Sequence, residues 1–272
     1  MFTLDLPRLD AELRSPKAAC RLQALLGALE VCPGPYCQDR LRATPWQALV
    51  IRTRECGRIH RATRERLESG DPADGASLRR GFELGELDAS DRSLRALLSG
   101  IRTDALGLDD VLRSGPCRAE AGFTRKVALF PDAAALPGAL GVLGEFREAE
   151  PLAHPVWNAL LLYLLLLRVH PYGDGNGRTM RVLLAFELRR AGLVGDSVLP
   201  LKRVIDANRA TEMKLYTDVS RVQRDPLRGT RAFARALSFM AQVVELAARH
   251  ASAQVEASTR AGDATAAGAL PG

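Results

Sequence analysis

His170 to Arg181 read HPYGDGNGRTMR. This stretch lies between a strongly apolar run, Trp157 to Val169 (WNALLLYLLLLRV), and a second helical pattern, Arg181 to Leu193 (RVLLAFELRRAGL). Gly173, Gly175 and Gly177 alternate with other residues and feed a helix expected to begin near Asn176. Exposed backbone N–H groups and the helix dipole favour an anion at such a start. Arg178 and Arg181, three apart, fall on roughly one face of that helix. Two permanently charged guanidinium forks beside an N–H nest make a site for several phosphates. Asp174 sits within the turn, where a carboxylate beside phosphates would hold Mg2+. His170 is the group here that can take a proton near pH 7. The residues point to phosphate-based transfer with a histidine base.

Other readings of the glycines fit less well. A dinucleotide fingerprint needs GxGxxG after a β-strand, whereas this spacing is GxGxG after a Leu-rich helical run. A P-loop needs Gly-Lys-Ser/Thr, which is absent from the stretch. An interhelical turn with solvated arginines is the ordinary reading of three glycines, but it leaves the His, Asp, Asn and paired Arg without a purpose.

Composition bounds the rest. The 272 residues suffice for one large domain, or a core with an appendage, and 47% apolar residues can build a core of Leu, Ala and Val. The net charge of +6 comes mostly from arginines scattered through helical segments, not from a basic run interleaved with aromatics. A solvated helical face is the expected use of that charge, with steering of ATP or of an acidic protein second, and nucleic acid is not the expected partner. The five cysteines form no CxxC pair, and Cys32 and Cys37 lack a nearby histidine, so reduced thiols are expected. The N-terminal MFTLDLPRLDAEL lacks a signal-peptide pattern, and the longest uncharged apolar stretch falls far short of a membrane span. The expectation is a soluble protein of the cytoplasm, or one delivered into another cell's cytosol.

In chain order, residues 1–95 read as an N-terminal helical extension. Helices are expected over 16–31 and 45–68, with a linker at 70–76 (GDPADGA). His60, alone on a polar helix, reads as a surface residue. Residues 96–250 form the core. A helix over 93–112 carries a break around Gly100 to Gly107, and Ser114-Gly115-Pro116 marks a turn. Residues 122–130 (GFTRKVALF) are the best β candidate, and a helix follows over 137–148. Pro155 opens the apolar helix and His154 serves its start. Gly192 stops the helix after the turn, and two more follow over 204–223 and 230–250. The Ala/Gly/Thr-rich end, 251–272, reads as a mobile tail.

HPYGDGNGRTMR resembles the motif of the Fic (filamentation induced by cAMP) family, His-Pro-Phe-x-Asp/Glu-Gly-Asn-Gly-Arg-x-x-Arg. Every defined position matches except the third, where Tyr172 keeps the aromatic ring of the usual Phe. The resemblance extends more loosely from about Leu97 to about Asp225, through Gly115-x-x-Arg118 and through Ile205 to Tyr216. It implies an all-α helical bundle with a small β-hairpin flap, and transfer of AMP from ATP to a Ser, Thr or Tyr hydroxyl of a target protein. It implies that His170 takes the hydroxyl proton and Asp174 positions Mg2+. Gly175, Asn176 and Gly177 would hold the α-phosphate oxygens, while Arg178 and Arg181 hold the β- and γ-phosphates. The flap, around Thr124, Arg125, Lys126 and Val127, would clamp the target's backbone by strand addition.

Alternatives within the family are transfer of phosphocholine from CDP-choline, or of phosphate from an inverted nucleotide. The latter is typical of members resembling Doc, in which the second Gly of GNGR is commonly Lys and the last Arg is missing. Gly177 and Arg181 favour AMP. A different alternative is a regulatory protein that only senses nucleotide. Many members carry an inhibitory Ser/Thr-x-x-x-Glu-Gly/Asn helix. The chain has no full match, and Ser252 with Glu256 is the nearer partial one, ahead of Thr63 with Glu68. A solvent-exposed glutamate is the expected reading of both. Control would then come from a separate antitoxin-like inhibitor chain, or the enzyme would be constitutively active.

Overall fold

The computed structural model describes residues 4–30, 93–121, 126–193, 199, 201, 204–205, 208–221 and 226–267. The helices expected over 45–68, the linker at 70–76, His60, Thr63, Glu68, Cys32, Cys37 and Cys56 lie outside the described residues. Among the described residues no helix is long and apolar enough to cross a membrane.

The architecture is all-α with one two-stranded hairpin. Helix α1 (Leu6–Leu13) is capped by Asp5, whose carboxylate accepts from Arg8 N–H at 3.1 Å. Helix α2 spans Pro16–Glu30, and α3 (Leu94–Gly100) is capped by Ser93 and runs into a π-helical turn, Ile101–Ala105. The break expected near Gly100 is this widened turn. The hairpin pairs β1 (Arg118–Ala121) with β2 (Lys126–Leu129) antiparallel, Arg118 opposite Leu129 and Ala121 opposite Lys126. Then come α4 (Leu136–Ala149), α5 (Pro155–Val169), α6 (Asn176–Arg190), α7 (Arg209–Arg221) and α8 (Pro226–Ala267).

Helix α5 is the axis because it is apolar on every side, and such a helix is stable only when surrounded. All its residues from Val156 to Leu166 are buried. Helices α4, α6 and α8 pack on it. His154 caps its start, Nδ1 accepting from Val156 N–H at 3.2 Å. A buried ion pair, Arg147 Nε to Glu187 at 2.6 Å, ties α4 to α6. Residues 4–30 belong to the same core, since Leu9, Leu13, Leu25 and Leu29 are buried with the side chains of α5 and α8. Asp10 accepts from Ala153 N–H at 2.9 Å, and Arg21 meets Glu245 at 3.4 Å. Helix α8 begins four residues before the expected start and continues as helix through residues 251–267.

Candidate active site

The site is the connection between α5 and α6. Helix α5 ends where His170 turns left-handed (φ 51°), its N–H still bonded to Leu166 O at 2.9 Å. A non-glycine residue in that region is strained by about 1–2 kcal/mol, so the position is held by its surroundings. Gly175 makes the second left-handed turn at φ 77°, and α6 starts at Asn176, where the sequence places it. A Cβ on Gly175 would stand 2.6 Å from Leu108 Cδ1, the tip of a half-buried side chain, and 3.2 Å from Arg102 Nη1, so the left-handed backbone calls for glycine and both side chains would have to give way to any other residue.

The loop's shape is carried by its own amide and by two arginines outside it. Asn176 is buried. Its Oδ1 accepts from Tyr172 N–H at 3.1 Å and its Nδ2 donates to Tyr172 O at 2.7 Å. Both amide ends are thus engaged in holding the turn. Arg102 is buried over the Tyr172 ring at 3.8 Å and donates to Asp174 O at 3.0 Å and Thr179 Oγ1 at 3.2 Å. Arg113 donates through Nε to His170 O at 2.8 Å, and its own N–H bonds Pro171 O at 3.0 Å. The Tyr172 hydroxyl accepts from Arg95 Nη1 at 3.3 Å, beside the Arg95–Asp110 pair at 2.6 Å.

The His170 imidazole lies against Phe130, which follows β2, and its Nδ1 makes no well-formed hydrogen bond. Burial pushes its pKa down to about 4, opposed by the Leu167 carbonyl and Asp174 and assisted by the Arg113 charge. The Leu167 carbonyl in turn accepts from Tyr216 Oη at 2.7 Å. At pH 7 the ring is therefore neutral and can accept a proton.

Arg178 and Arg181 are both buried on the first turns of α6. Arg178 Nη2 meets the partly exposed Asp174 carboxylate at 3.3 Å. Arg181 Nη1 curls back to 3.2 Å from where a Cβ on Gly177 would sit, so that glycine leaves room for the guanidinium. Asp174, Gly175, Asn176, Gly177, Arg178 and Arg181 thus surround one helix N-terminus, with His170 at the other end of the turn. Among the described residues no group of three His, Cys, Asp or Glu is placed to hold a metal on its own. Asp174 offers one carboxylate, which suits Mg2+ carried in with a polyphosphate, because Mg2+ keeps waters and substrate oxygens as its other ligands.

Of the flap residues, Lys126 and Val127 lie in β2, opposite Ala121 and Glu120, while Thr124 and Arg125 fall outside the described residues. Ser252 is on α8 and donates within its own helix, to Ala248 O at 3.1 Å. Glu256 belongs to the same helix by its backbone. Sequence reasoning misses Arg95, Arg102, Asp110, Arg113 and Phe130. Phe130 ends the β candidate 122–130, and Arg95, Arg102 and Asp110 fall in the expected helix 93–112, but none of them carries a motif signal, and tertiary folding brings them to the loop.

Known proteins give an independent view. Residues 96–188 match the model of the Fic/DOC family. Protein adenylyltransferase Fic of Culex quinquefasciatus is 32% identical over 144 residues, covering 48% of this chain and 29% of that protein. Its namesake in Aedes aegypti is 31% identical over the same shares of the two chains. This chain spans less than a third of those relatives' length. The fold is that of a Fic domain containing signalling protein from Bacteroides thetaiotaomicron, with a TM-score of 0.60 at 16% identity over 87% of this chain and 97% of that one. A Fic family protein from Desulfovibrio desulfuricans superposes with a TM-score of 0.54 at 17% identity, covering 93% and 76% of the two chains. The His170–Arg181 turn and the helices that carry it lie within or beside the matched segment, so that residues 96–188 of this chain are similar to a Fic/DOC domain and the chain shares the fold of solved Fic proteins.

Proposed function

We propose that the chain is a protein adenylyltransferase, moving AMP from ATP to a hydroxyl of a protein target. The observation that carries this reading is the placing of a neutral, half-buried His170 at one end of a turn whose other end is an arginine-lined helix N-terminus. A target Ser, Thr or Tyr oxygen attacks the α-phosphorus, the bond from that phosphorus to the β-bridging oxygen breaks, and pyrophosphate leaves. His170 takes the hydroxyl proton.

The N–H groups of Gly175, Asn176 and Gly177 receive the charge that builds on the α-phosphate oxygens. Arg178 and Arg181 hold the rest of the triphosphate and the departing pyrophosphate. Asp174 would hold Mg2+, which when bound offsets the negative charge of the phosphates. The names of the curated relatives support the reaction class. The two-stranded hairpin supports a peptide-like acceptor, because among the described residues each strand has one ladder partner and a further strand edge can recognise backbone.

The test is His170→Ala with ATP labelled at the α-phosphate. Label on protein should fall by about 10²–10⁴-fold, while calorimetric ATP affinity stays near wild type, since the base acts on the hydroxyl. Full labelling in the variant removes His170 from the chemistry. Label that follows the γ-phosphate instead identifies phosphate transfer, and binding without any label identifies a sensor.

A further inference from the structure

We propose that Arg113 is a positioning residue that locks the base of the hairpin to the backbone of His170, so that the height of the acceptor strand and the attitude of the general base are set by one guanidinium. This rests on the reading of His170 as the base. The side chain is buried, at 8% exposure, and its donors are spent on backbone carbonyls from two separate structures. On the loop side, Nε donates to His170 O at 2.8 Å and Nη2 reaches Val169 O at 3.4 Å. On the hairpin side, Nη1 donates to Gly115 O at 2.9 Å, three residues before β1, and Nη2 donates to Pro131 O, two residues after β2. The Arg113 N–H adds Pro171 O at 3.0 Å.

Both legs of the hairpin and the three successive carbonyls of Val169, His170 and Pro171 therefore share one residue. Phe130, the neighbour of Pro131, is the ring stacked on the His170 imidazole, so the same clamp fixes the side chain as well as the main chain. The requirement is for a planar fork with five donors. A lysine ammonium keeps the charge but cannot reach four carbonyls in these directions. None of these contacts is to α6, where the phosphates are expected. The clamp therefore bears on the acceptor and the base, and not on nucleotide binding.

The test uses Arg113→Lys beside wild type, with Arg113→Met as a second variant. The readouts are the His170 Cε1–H shift by NMR, ATP–Mg2+ affinity by calorimetry, and transfer of labelled AMP to the protein itself. In Arg113→Lys the His170 proton should move downfield as the Phe130 ring slides off. ATP affinity should hold, and self-labelling should drop about ten-fold or more, as small misplacements of reacting groups do. An unchanged His170 shift with unchanged labelling overturns the proposal. Should both variants fail to fold, the wild-type Arg113 Nε–H decides. It should exchange with water far more slowly than the Nε–H of an exposed arginine, and exchange at the exposed rate overturns the clamp. If wild type transfers no AMP while the ring shift still appears in Arg113→Lys, the adenylyltransferase reading fails and the positioning role stands.

Discussion

Phe130 lies nearly flat on the imidazole of His170, with ring centroids 4.1 Å apart and planes 21° from parallel. The Tyr216 ring is tilted against Phe130, its centroid 6.4 Å away, and its hydroxyl donates to Leu167 O at 2.7 Å. The histidine is thus shielded by the end of the hairpin and by α7, two elements far apart in sequence. Shielding removes the water that would stabilise an imidazolium, and that desolvation is the main reason its pKa falls to about 4.

The shift carries a stability consequence whose sign is fixed. His170 titrates near 6.5 in the unfolded chain and near 4 in the folded one. Its stabilising contribution is complete above pH 6.5 and is lost as the pH falls through 4, because the unfolded chain binds the proton first. His154, also lowered by burial, adds a contribution of the same sign. Urea unfolding at pH 7.5 and at pH 4.5 should show wild type losing on the order of 2–3 kcal/mol more than His170→Gln. Equal losses in the two proteins would mean that the ring is not desolvated.

Gly175→Ala tests the turn itself. The substitution places a Cβ on a residue at φ 77° and drives it to 2.6 Å from Leu108 Cδ1. The backbone strain costs about 1–2 kcal/mol, and the crowding adds less because the Leu108 tip can turn aside. Thermal unfolding should register the loss, and ATP affinity should fall with it because the N–H nest is displaced. A variant with wild-type melting temperature and wild-type affinity would show that the turn is not rigid. Gly173→Ala is the control, since nothing stands within 4 Å of its would-be Cβ.

The motif was legible because its chemistry is local. A histidine after an apolar run, glycines at two-residue spacing and arginines at helical spacing each have a direct physical meaning, and the structure gathers them at the start of α6. The supports were not legible. Arg102, in the π-helical turn, and Arg113, in the irregular segment before β1, are single arginines indistinguishable in sequence from the many on the surface. Strand β1 reads RAEA and has no β-branched or aromatic residue to betray it, so it is specified by its pairing with KVAL. The last turns of α8 read as a tail because Ala and Thr offer little apolar periodicity, yet their backbone is helical to Ala267. Asn176 was legible as a turn residue, while the engagement of its amide with Tyr172 was not.

Tyr172 takes the place of the family's usual phenylalanine, and its hydroxyl joins the Arg95–Asp110 pair. Burial of the Asp110 carboxyl opposes its charge, but hydrogen bonds from Arg95 and Ser99 hold its pKa below the usual range. The pair persists without the hydroxyl, so Tyr172→Phe should cost only about 1 kcal/mol and leave transfer intact. Tyr172→Leu also removes the ring face under Arg102, 3.8 Å from the guanidinium. It should cost about 1–2 kcal/mol more. Urea titrations that rank the two variants equally would assign no role to the stacked arginine.

On the proposed function, Arg181 would separate the far phosphates from the near one. Its Cα lies five residues into α6, about 7.5 Å along the axis from Asn176 at 1.5 Å per residue. Helical side chains lean back toward the N-terminus, and the approach of Nη1 to the Gly177 position, 3.2 Å from a would-be Cβ, shows this one doing so. In the proposed reaction a guanidinium in that place would take the phosphates that follow the one seated on the N–H nest. It is buried at 6% exposure, so each charge-assisted bond it forms is worth about 1.5–3 kcal/mol. Arg181→Met should therefore weaken ATP by about ten-fold or more while AMP, which ends at the α-phosphate, loses little. Calorimetry with the two nucleotides reads this ratio directly. If both lose affinity by the same factor, Arg181 serves the α-phosphate or the helix itself, and the assignment of the distal phosphates must move to Arg178.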